Sequence, residues 1–483
     1  MPPRRYSLPR VAPASEICLE LQDHSSVRRS ATRFFELPKD RYSTGKAGTL
    51  VEQFINLNRP LTTLLDVRLD RTYDGNDVEL IISSGSAVGA IPLVSPSTAK
   101  YDYGLVIQPR FPWPGLGPML GEMGWRITPS LLKLPLLHRS ERRVPPWVLS
   151  SIILVRLSAL LNSLTRKFEL VNEDRSSPRG RIDWGQYARR SLPAGRFLSL
   201  PCTYPELEED RLIKGAIRYT VERHLRSLET QKENGAFVWQ LIELAQRLLI
   251  KVQLAPVYVP TPNLLQTWMR RPMRSNNFVD GLQAIEWTVE ERGLAGLSDL
   301  QGLPWRMSMD EFFEAWVETV FASVARSTGA QIKTGRQSQT TRPIEWQPSY
   351  LGSQKSLKPD IWLEWESTTL IVDAKYKRHW EELSRHSWSQ VEEELRERHR
   401  NDLFQVLAYA NLAQTPNVIA CLVYPCTAET WQDLKAGERL VHKASFSAGT
   451  RAVHLWLTAV PMSANADLVA REMSESVRKV LAA

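Results

Sequence analysis

Cysteine is scarce in this chain: four residues in 483, at Cys18, Cys202, Cys421 and Cys426. Only the last two stand close together, and no second pair completes a zinc-ligand spacing. A disulfide-built scaffold is excluded, and reduced thiols are the expectation. A phosphate-cradling glycine loop is also missing. The stretch Gly45-Lys46-Ala47-Gly48-Thr49 lacks the six-residue frame of a nucleotide-binding loop, so this chain is not expected to hydrolyse nucleotide by itself. Long apolar runs are absent too. The most hydrophobic stretch, residues 148–164, is broken by Ser151, Arg156, Ser158, Asn162 and Ser163. It reads as a buried or amphipathic helix, not a membrane span. The first ten residues are basic but lack the apolar core of a secretion signal. A soluble, cytoplasmic protein is the expectation.

What is present is enough apolar material, 43% hydrophobic against 24% charged residues, to build substantial cores. At this length two or three domains are expected. The net charge of +8 is unevenly spread: residues 1–300 hold 40 basic and 31 acidic side chains, residues 301–483 hold 21 and 22. A basic front end suits contact with a phosphate backbone, and equally suits a merely solubilising surface.

The pattern divides the chain into three regions. Residues 1–130 read as a β-rich N-terminal domain, with short apolar runs at 16–22, 63–70, 77–83 and 104–109. Residues 108–118 are so rich in proline and glycine that an ordered loop is expected there. Residues 131–300 read as mainly helical, with helices over 146–168, 206–228, 236–250 and 277–291. This region is arginine-rich. Arg175, Arg179, Arg181, Arg189 and Arg190 alternate with Trp184 and Tyr187, and a second cluster holds Arg270, Arg271 and Arg274. Arginines interleaved with aromatics grip phosphates and stack on bases, or line an interface with an acidic partner.

Residues 301–483 open on Ser308-Met-Asp-Glu311, a capping box that starts a helix running to about 326. Its apolar stripe runs from Phe312 to Val324. Glu314 sits at the stripe's edge, within reach of a neighbouring sheet, while Glu318 is expected to point outward. A strand over 330–336 precedes the most informative stretch, residues 358–377. There two apolar arms flank the polar turn Glu366-Ser367-Thr368 and read as a β-hairpin. A turn centred between Glu366 and Ser367 places Asp360 opposite Asp373, with Cβ atoms ~5 Å apart. Two carboxylates that close repel unless a cation lies between them, and a hard oxygen ligand set suits Mg²⁺, with Mn²⁺ as a substitute. Lys375 shares a strand face with Asp373, where its ammonium can orient a water or steady charge developing on phosphorus. Residues 381–400 are highly charged and read as a solvated helix or mobile segment. Asn401-Asp402 is expected to cap a more apolar helix, 403–412, that carries Gln405 and Tyr409 on one face. A glutamine buried in apolar surroundings needs partners, which sets this pair apart from ordinary core. Strands over 418–424 and 451–459 and a helix over 466–481 follow. The expected architecture is an α/β core, a mixed sheet with flanking helices.

Glu314, Pro359-Asp360, Asp373-Ala374-Lys375 and Gln405-x-x-x-Tyr409 together resemble the PD-(D/E)xK nuclease superfamily, in its RecB-like variant. The run Asp373-Ala-Lys-Tyr-Lys377, followed by Asp402-x-x-Gln405-x-x-x-Tyr409, looks like the McrC-like nuclease subunits of McrBC-type restriction systems. Tyr103 to Pro109, Gly180-Arg-Ile-Asp183 and Glu209 to Lys214 add to that likeness. The resemblance implies a Mg²⁺-dependent DNA endonuclease domain over 301–483, with Asp360, Asp373 and Glu314 as metal ligands and the Ala374 carbonyl as an extra one. It implies that Lys375 is catalytic and that Gln405 and Tyr409 orient DNA or the active-site lysine; Arg179 and Arg181, from the arginine–aromatic pattern upstream, are the further candidates for orienting DNA. It also implies a front part that docks on, and stimulates, a separate AAA+ GTPase or ATPase ring. The same residues suit a repair nuclease working with a helicase. A non-catalytic activator of an AAA+ ring is the third reading.

Overall fold

The computed structural model describes residues 17–37, 43–74, 77–127, 129–132, 134, 146–164, 167–208, 211–234, 236–270, 275–289, 304–377, 393–448, 451–463 and 465–482. Residues 271–274 of the second arginine cluster and 378–392 of the charged stretch lie outside them. The fold is mixed α/β, and its contacts gather into two compact units, one of residues 1–145 with 300–483 and one of residues 146–299. Among the described residues no helix is long and apolar enough to cross a membrane.

The first unit opens with β1 (Ile17–Gln22), β2 (Ser26–Ser30), β3 (Val67–Asp74), β4 (Asp77–Ser84), β5 (Ala87–Leu93), β6 (Tyr103–Gln108) and β7 (Ser130–Leu131). Strands β2, β4 and β3 form a three-stranded antiparallel sheet. Besides a single turn at Ala31–Phe34, two longer helices interrupt what the sequence suggests is strand and loop. The first, Ser43–Thr62, buries Ala47, Val51, Phe54 and Asn58, a helical spacing overlooked among polar residues. Its buried Asn58 is fully used: Nδ2 donates to Phe54 O and Val94 O, and Oδ1 accepts from Val94 N–H. The second, Trp113–Glu122, starts inside the proline-rich stretch expected to be a loop. Pro112 is its N-cap and Pro114 lies in its first turn, where a missing N–H costs nothing.

The second unit holds helices Pro146–Ser163, Arg211–Glu229, Ala236–Val252, Pro262–Met269 and Asn276–Val289. It also holds a small antiparallel sheet of β8 (Lys167–Arg175), β9 (Arg181–Ile182) and β10 (Leu200–Glu208), in the order β8-β10-β9. Two expected helices are thereby trimmed. Residues 167–168 open β8 rather than ending the first helix, and residues 206–208 close β10 rather than opening the second. Gly180 turns the chain into β9 at φ +67°, and a Cβ there would meet Thr203 O at 2.5 Å. His224 is buried among the helices, with Nδ1 3.0 Å from Ser150 Oγ and Nε2 3.2 Å from Thr288 Oγ1. Burial pushes its pKa down to about 3, so the ring stays neutral.

The chain then returns to the first unit. Strand β11 (Trp305–Ser308) pairs antiparallel with β5, completing a sheet of order β1-β6-β5-β11-β7. Ser308 at its end is the expected cap, its Oγ accepting from Glu311 N–H, of the helix Met309–Thr328. Two short strands, β13 (Arg342–Pro343) and β14 (Ser356–Leu357), pair with each other, and a six-stranded sheet is built from β12 (Gln331–Thr334), β15 (Ile361–Glu364), β16 (Thr368–Ala374), β17 (Asn417–Cys426), β18 (Val441–Ala448) and β19 (Arg451–Pro461). Its order is β12-β15-β16-β17-β19-β18, with β16, β17 and β19 parallel and the outer pairings antiparallel. Strand β17 is buried from Val418 to Cys426, as its unbroken apolar run requires at the centre of a covered sheet. Helix Glu393–Ala410 packs on β16 and β17, and the closing helix, Ala466–Leu481, packs on Met309–Thr328. Helix Ala428–Ala436 and strand β18 were not read from the sequence.

Besides the β5–β11 pairing, polar side-chain contacts join the early and late parts of this unit. Glu122 caps the closing helix, accepting from Asn465 N–H at 2.7 Å and Ala466 N–H at 2.8 Å. Ser86 Oγ donates to Asp310. Arg126 Nη1 lies 2.6 Å from Glu318 Oε1. Glu318 therefore does not point outward as its place on the helix suggested. It is buried, with Arg126 on one oxygen and Arg336 Nε 3.7 Å from the other.

Candidate active site

The hairpin folds in the register its turn dictates. Ile361 pairs with Val372 and Glu364 with Thr369, and Trp365 N–H donates to Thr368 O to close the turn. Asp360, just outside β15, then stands opposite Asp373, and its Oδ2 accepts from Ala374 N–H at 2.8 Å. Its backbone is held from the other side, with Gly335 N–H donating to Asp360 O at 2.7 Å and Thr340 Oγ1 to Pro359 O at 2.5 Å. A Cβ on Gly335 would meet Pro359 O at 2.8 Å, so only glycine allows this approach.

Asp373 is 1% exposed. The Lys375 ammonium lies 2.8 Å from Asp373 Oδ2, yet off the hydrogen-bonding direction, so this buried oxygen has an ionic contact and no aligned hydrogen bond. Lys375 Nζ donates to Gln405 Oε1 at 3.0 Å, and Gln405 Nε2 to Tyr409 Oη at 2.9 Å. The four-residue spacing of Gln405 and Tyr409 does place both on the hairpin's side of their helix. Gln405 is nevertheless exposed, not buried in apolar surroundings; Tyr409 is the buried member.

The capping role expected of Asn401-Asp402 is overturned. The helix starts at Glu393 and runs straight through them. Asp402 is buried instead, with Lys377 Nζ 2.7 Å and 2.8 Å from its two oxygens and Tyr424 Oη donating at 3.0 Å. Sequence reasoning missed this second ion pair beside the first. Its signal in the sequence is the i, i+2 spacing of Asp373, Lys375 and Lys377.

Burial is the main electrostatic fact of the site. It lifts the Asp360 carboxyl well above the usual carboxylate range, with the negative charges of Asp373 and Glu314 adding to the effect. It also raises Asp373 and Glu314, although Lys375 works against this at Asp373, and Arg336 and Lys358 at Glu314. For Lys375, burial disfavours the ammonium, but the adjacent negative charge of Asp373 outweighs it, with Asp360 and Asp402 behind, and the pKa rises. Arg179 and Arg181 belong to the other unit, on its small sheet. Both are exposed, and the Arg179 guanidinium lies over the Tyr204 ring at 4.1 Å.

Among the described residues no three His, Cys, Asp or Glu side chains already converge on one point as a metal cage. The donors nevertheless fit a hard divalent cation. Two adjacent carboxyls are raised by burial and, at Asp360, by neighbouring negative charge, and Asp373 Oδ2 is buried without an aligned donor. The sign of the consequence is definite. Carboxyls with raised pKa values stabilise the metal-free fold fully below the ordinary value of 3.8, and that stability is lost as pH rises through their folded values. Thermal scans should therefore show Mg²⁺ or Mn²⁺ raising the melting temperature by an increment that grows from about pH 4 toward neutrality. Asp360→Asn should remove most of the increment. No metal-dependent increment at any pH would count against a cation at this pair.

A family model described as McrBC 5-methylcytosine restriction system component matches residues 133–425. Among solved structures, one described as a refined half-complex from the tetradecameric assembly of Thermococcus gammatolerans McrB AAA+ hexamers with bound McrC matches at 16% identity and a TM-score of 0.43. That match covers 96% of this chain and 100% of the other. The cryo-EM structure of the Thermococcus gammatolerans McrBC complex matches at 15% identity and a TM-score of 0.27, over 64% of this chain and 88% of the other. No curated protein matches.

Proposed function

Since the chain belongs to the family of McrBC 5-methylcytosine restriction system components, we propose that it is the DNA-cutting, McrC-like subunit of such a system. In this reading it is a metal-dependent endonuclease of PD-(D/E)xK type that works with, and stimulates, a separate AAA+ GTPase or ATPase ring. The observation that carries the reading is the pair Asp360 and Asp373 at the hairpin's open end, with Lys375 held 2.8 Å from Asp373.

Mg²⁺ would be held by Asp360 and Asp373, with Glu314 and the Ala374 carbonyl completing the set, and would supply positive charge to the phosphodiester. The chain's own residues do the rest. An ammonium has three N–H donors. Lys375 directs one at Gln405 Oε1 and sets its charge against Asp373. That leaves a donor for the attacking water or a phosphate oxygen. Tyr409 holds the Gln405 amide so that its oxygen, not its nitrogen, faces the lysine. Arg179 and Arg181 would grip the DNA backbone from the second unit.

The test is cleavage of plasmid DNA by the chain purified with its AAA+ partner, with and without Mg²⁺, GTP and ATP. Cleavage is expected to require the metal and to rise with partner and nucleotide. Intact DNA under every combination would overturn the nuclease reading. Cleavage indifferent to the partner would overturn the assignment to a ring-driven complex.

A further inference from the structure

Immediately after Lys375 the chain leaves the sheet. Lys375 N–H donates to Val423 O at 2.8 Å, the last bond of the β16–β17 ladder, and Lys377 N–H already turns back to Lys375 O. The next side chain, Tyr376, points into the core and is 2% exposed. Its ring packs at 6.0–6.1 Å from Phe111 and Phe313 and at 5.8 Å from His24. Over it lies the Arg110 guanidinium, 4.2 Å from the ring centroid.

That guanidinium is an expensive occupant. The Arg110 side chain is 4% exposed, and its counter-charge among the described residues, Asp23, is fully buried, with Nε 3.9 Å from Asp23 Oδ2. Asp23 Oδ1 accepts from the Arg110 backbone N–H at 2.6 Å, not from its side chain. None of Nε, Nη1 and Nη2 of Arg110, nor Asp23 Oδ2, nor Tyr376 Oη, makes an aligned hydrogen bond. A buried pair whose hydrogen-bonding capacity is unspent is a poor stabiliser, and an apolar residue would fill the space at lower cost. What the guanidinium does provide is a charged plane that fixes the place and tilt of one aromatic ring.

We propose that Tyr376 is a positioning residue for Lys375, clamped by the buried Asp23–Arg110 pair, so that the first part of the chain sets the placement of the ammonium. The inference rests on the nuclease reading above. The ring face carries it, so Tyr376→Phe should behave as wild type, whereas Tyr376→Leu and Arg110→Met should not.

Two measurements test this on the full chain with its partner. In single-turnover cleavage, Tyr376→Leu and Arg110→Met are expected to slow the rate by at least about tenfold, with DNA affinity unchanged, as a small misplacement of a catalytic group does. Tyr376→Phe should stay within about twofold. In hydrogen exchange, the amides of Lys375, Tyr376 and Lys377 should exchange faster in the first two variants, with Val418 to Tyr424 as protected as before. A merely structural role would instead loosen β17 and weaken DNA binding in parallel, and that result overturns the proposal. So does a Tyr376→Phe variant as slow as Tyr376→Leu. Should Tyr376→Leu fail to fold, Arg110→Met decides. Should the wild type cut no DNA, the nuclease reading fails separately, and unchanged exchange at Lys375 to Lys377 overturns the clamp on its own.

Discussion

Asp373→Ala should reduce metal-dependent DNA cleavage by on the order of 10³-fold, the rate equivalent of about 4 kcal/mol of lost charge stabilisation. It should do so without unfolding the chain. The carboxyl is buried, its pKa is raised by that burial, and its Oδ2 has no aligned hydrogen bond. Replacing it with a methyl removes a desolvation penalty as well as an ionic contact. The metal-free melting temperature should therefore hold or rise while cleavage disappears, and Lys375 keeps its bond to Gln405. A companion assay with Lys375→Ala separates the two groups, since that variant should retain the metal-dependent rise in melting temperature that Asp373→Ala loses. Cleavage surviving Asp373→Ala at near wild-type rate would remove Asp373 from the site.

Trp316→Ala should have the largest effect on stability, about 3–5 kcal/mol, the range for emptying a large aromatic from a packed core. Trp316 is fully buried on the helix Met309–Thr328, and its indole Nε1–H donates to Pro461 O at 3.1 Å, at the end of β19. The substitution opens a cavity and leaves that carbonyl without its donor. It also loosens the helix that carries Glu314 and Glu318. Chemical denaturation checks the figure; a loss below about 1 kcal/mol would mean that the site collapses freely around the gap.

The hairpin is legible in the sequence alone. Its turn and its two apolar arms are neighbours in sequence, so period-two alternation and a short polar turn suffice to place Asp360 opposite Asp373. The Ser308 cap and the closing helix were readable for the same local reason, and the Gln405–Tyr409 pair follows from helical spacing alone. Glu318 shows where that reasoning stops. A carboxylate off the apolar stripe reads as solvated, yet Arg126 and Arg336 reach it from distant stretches and bury it. Asp402 is similar: Asn-Asp before an apolar run imitates a helix cap, and only Lys377 and Tyr424 reveal its use.

Residue type and spacing by themselves determined that two carboxylates and a lysine meet at the open end of a hairpin in an α/β core, because each relation spans one strand or one turn. Only the tertiary structure decided what holds that end in place. Gly335 pins Asp360, Gln405 holds Lys375 from a helix 30 residues on, and Asp23 with Arg110 reaches Tyr376 across more than 260 positions. The pairing of β11 with β5 likewise draws residues 300–483 into one unit with residues 1–145. Contacts of that separation depend on how whole sheets and helices pack, and no local period encodes them.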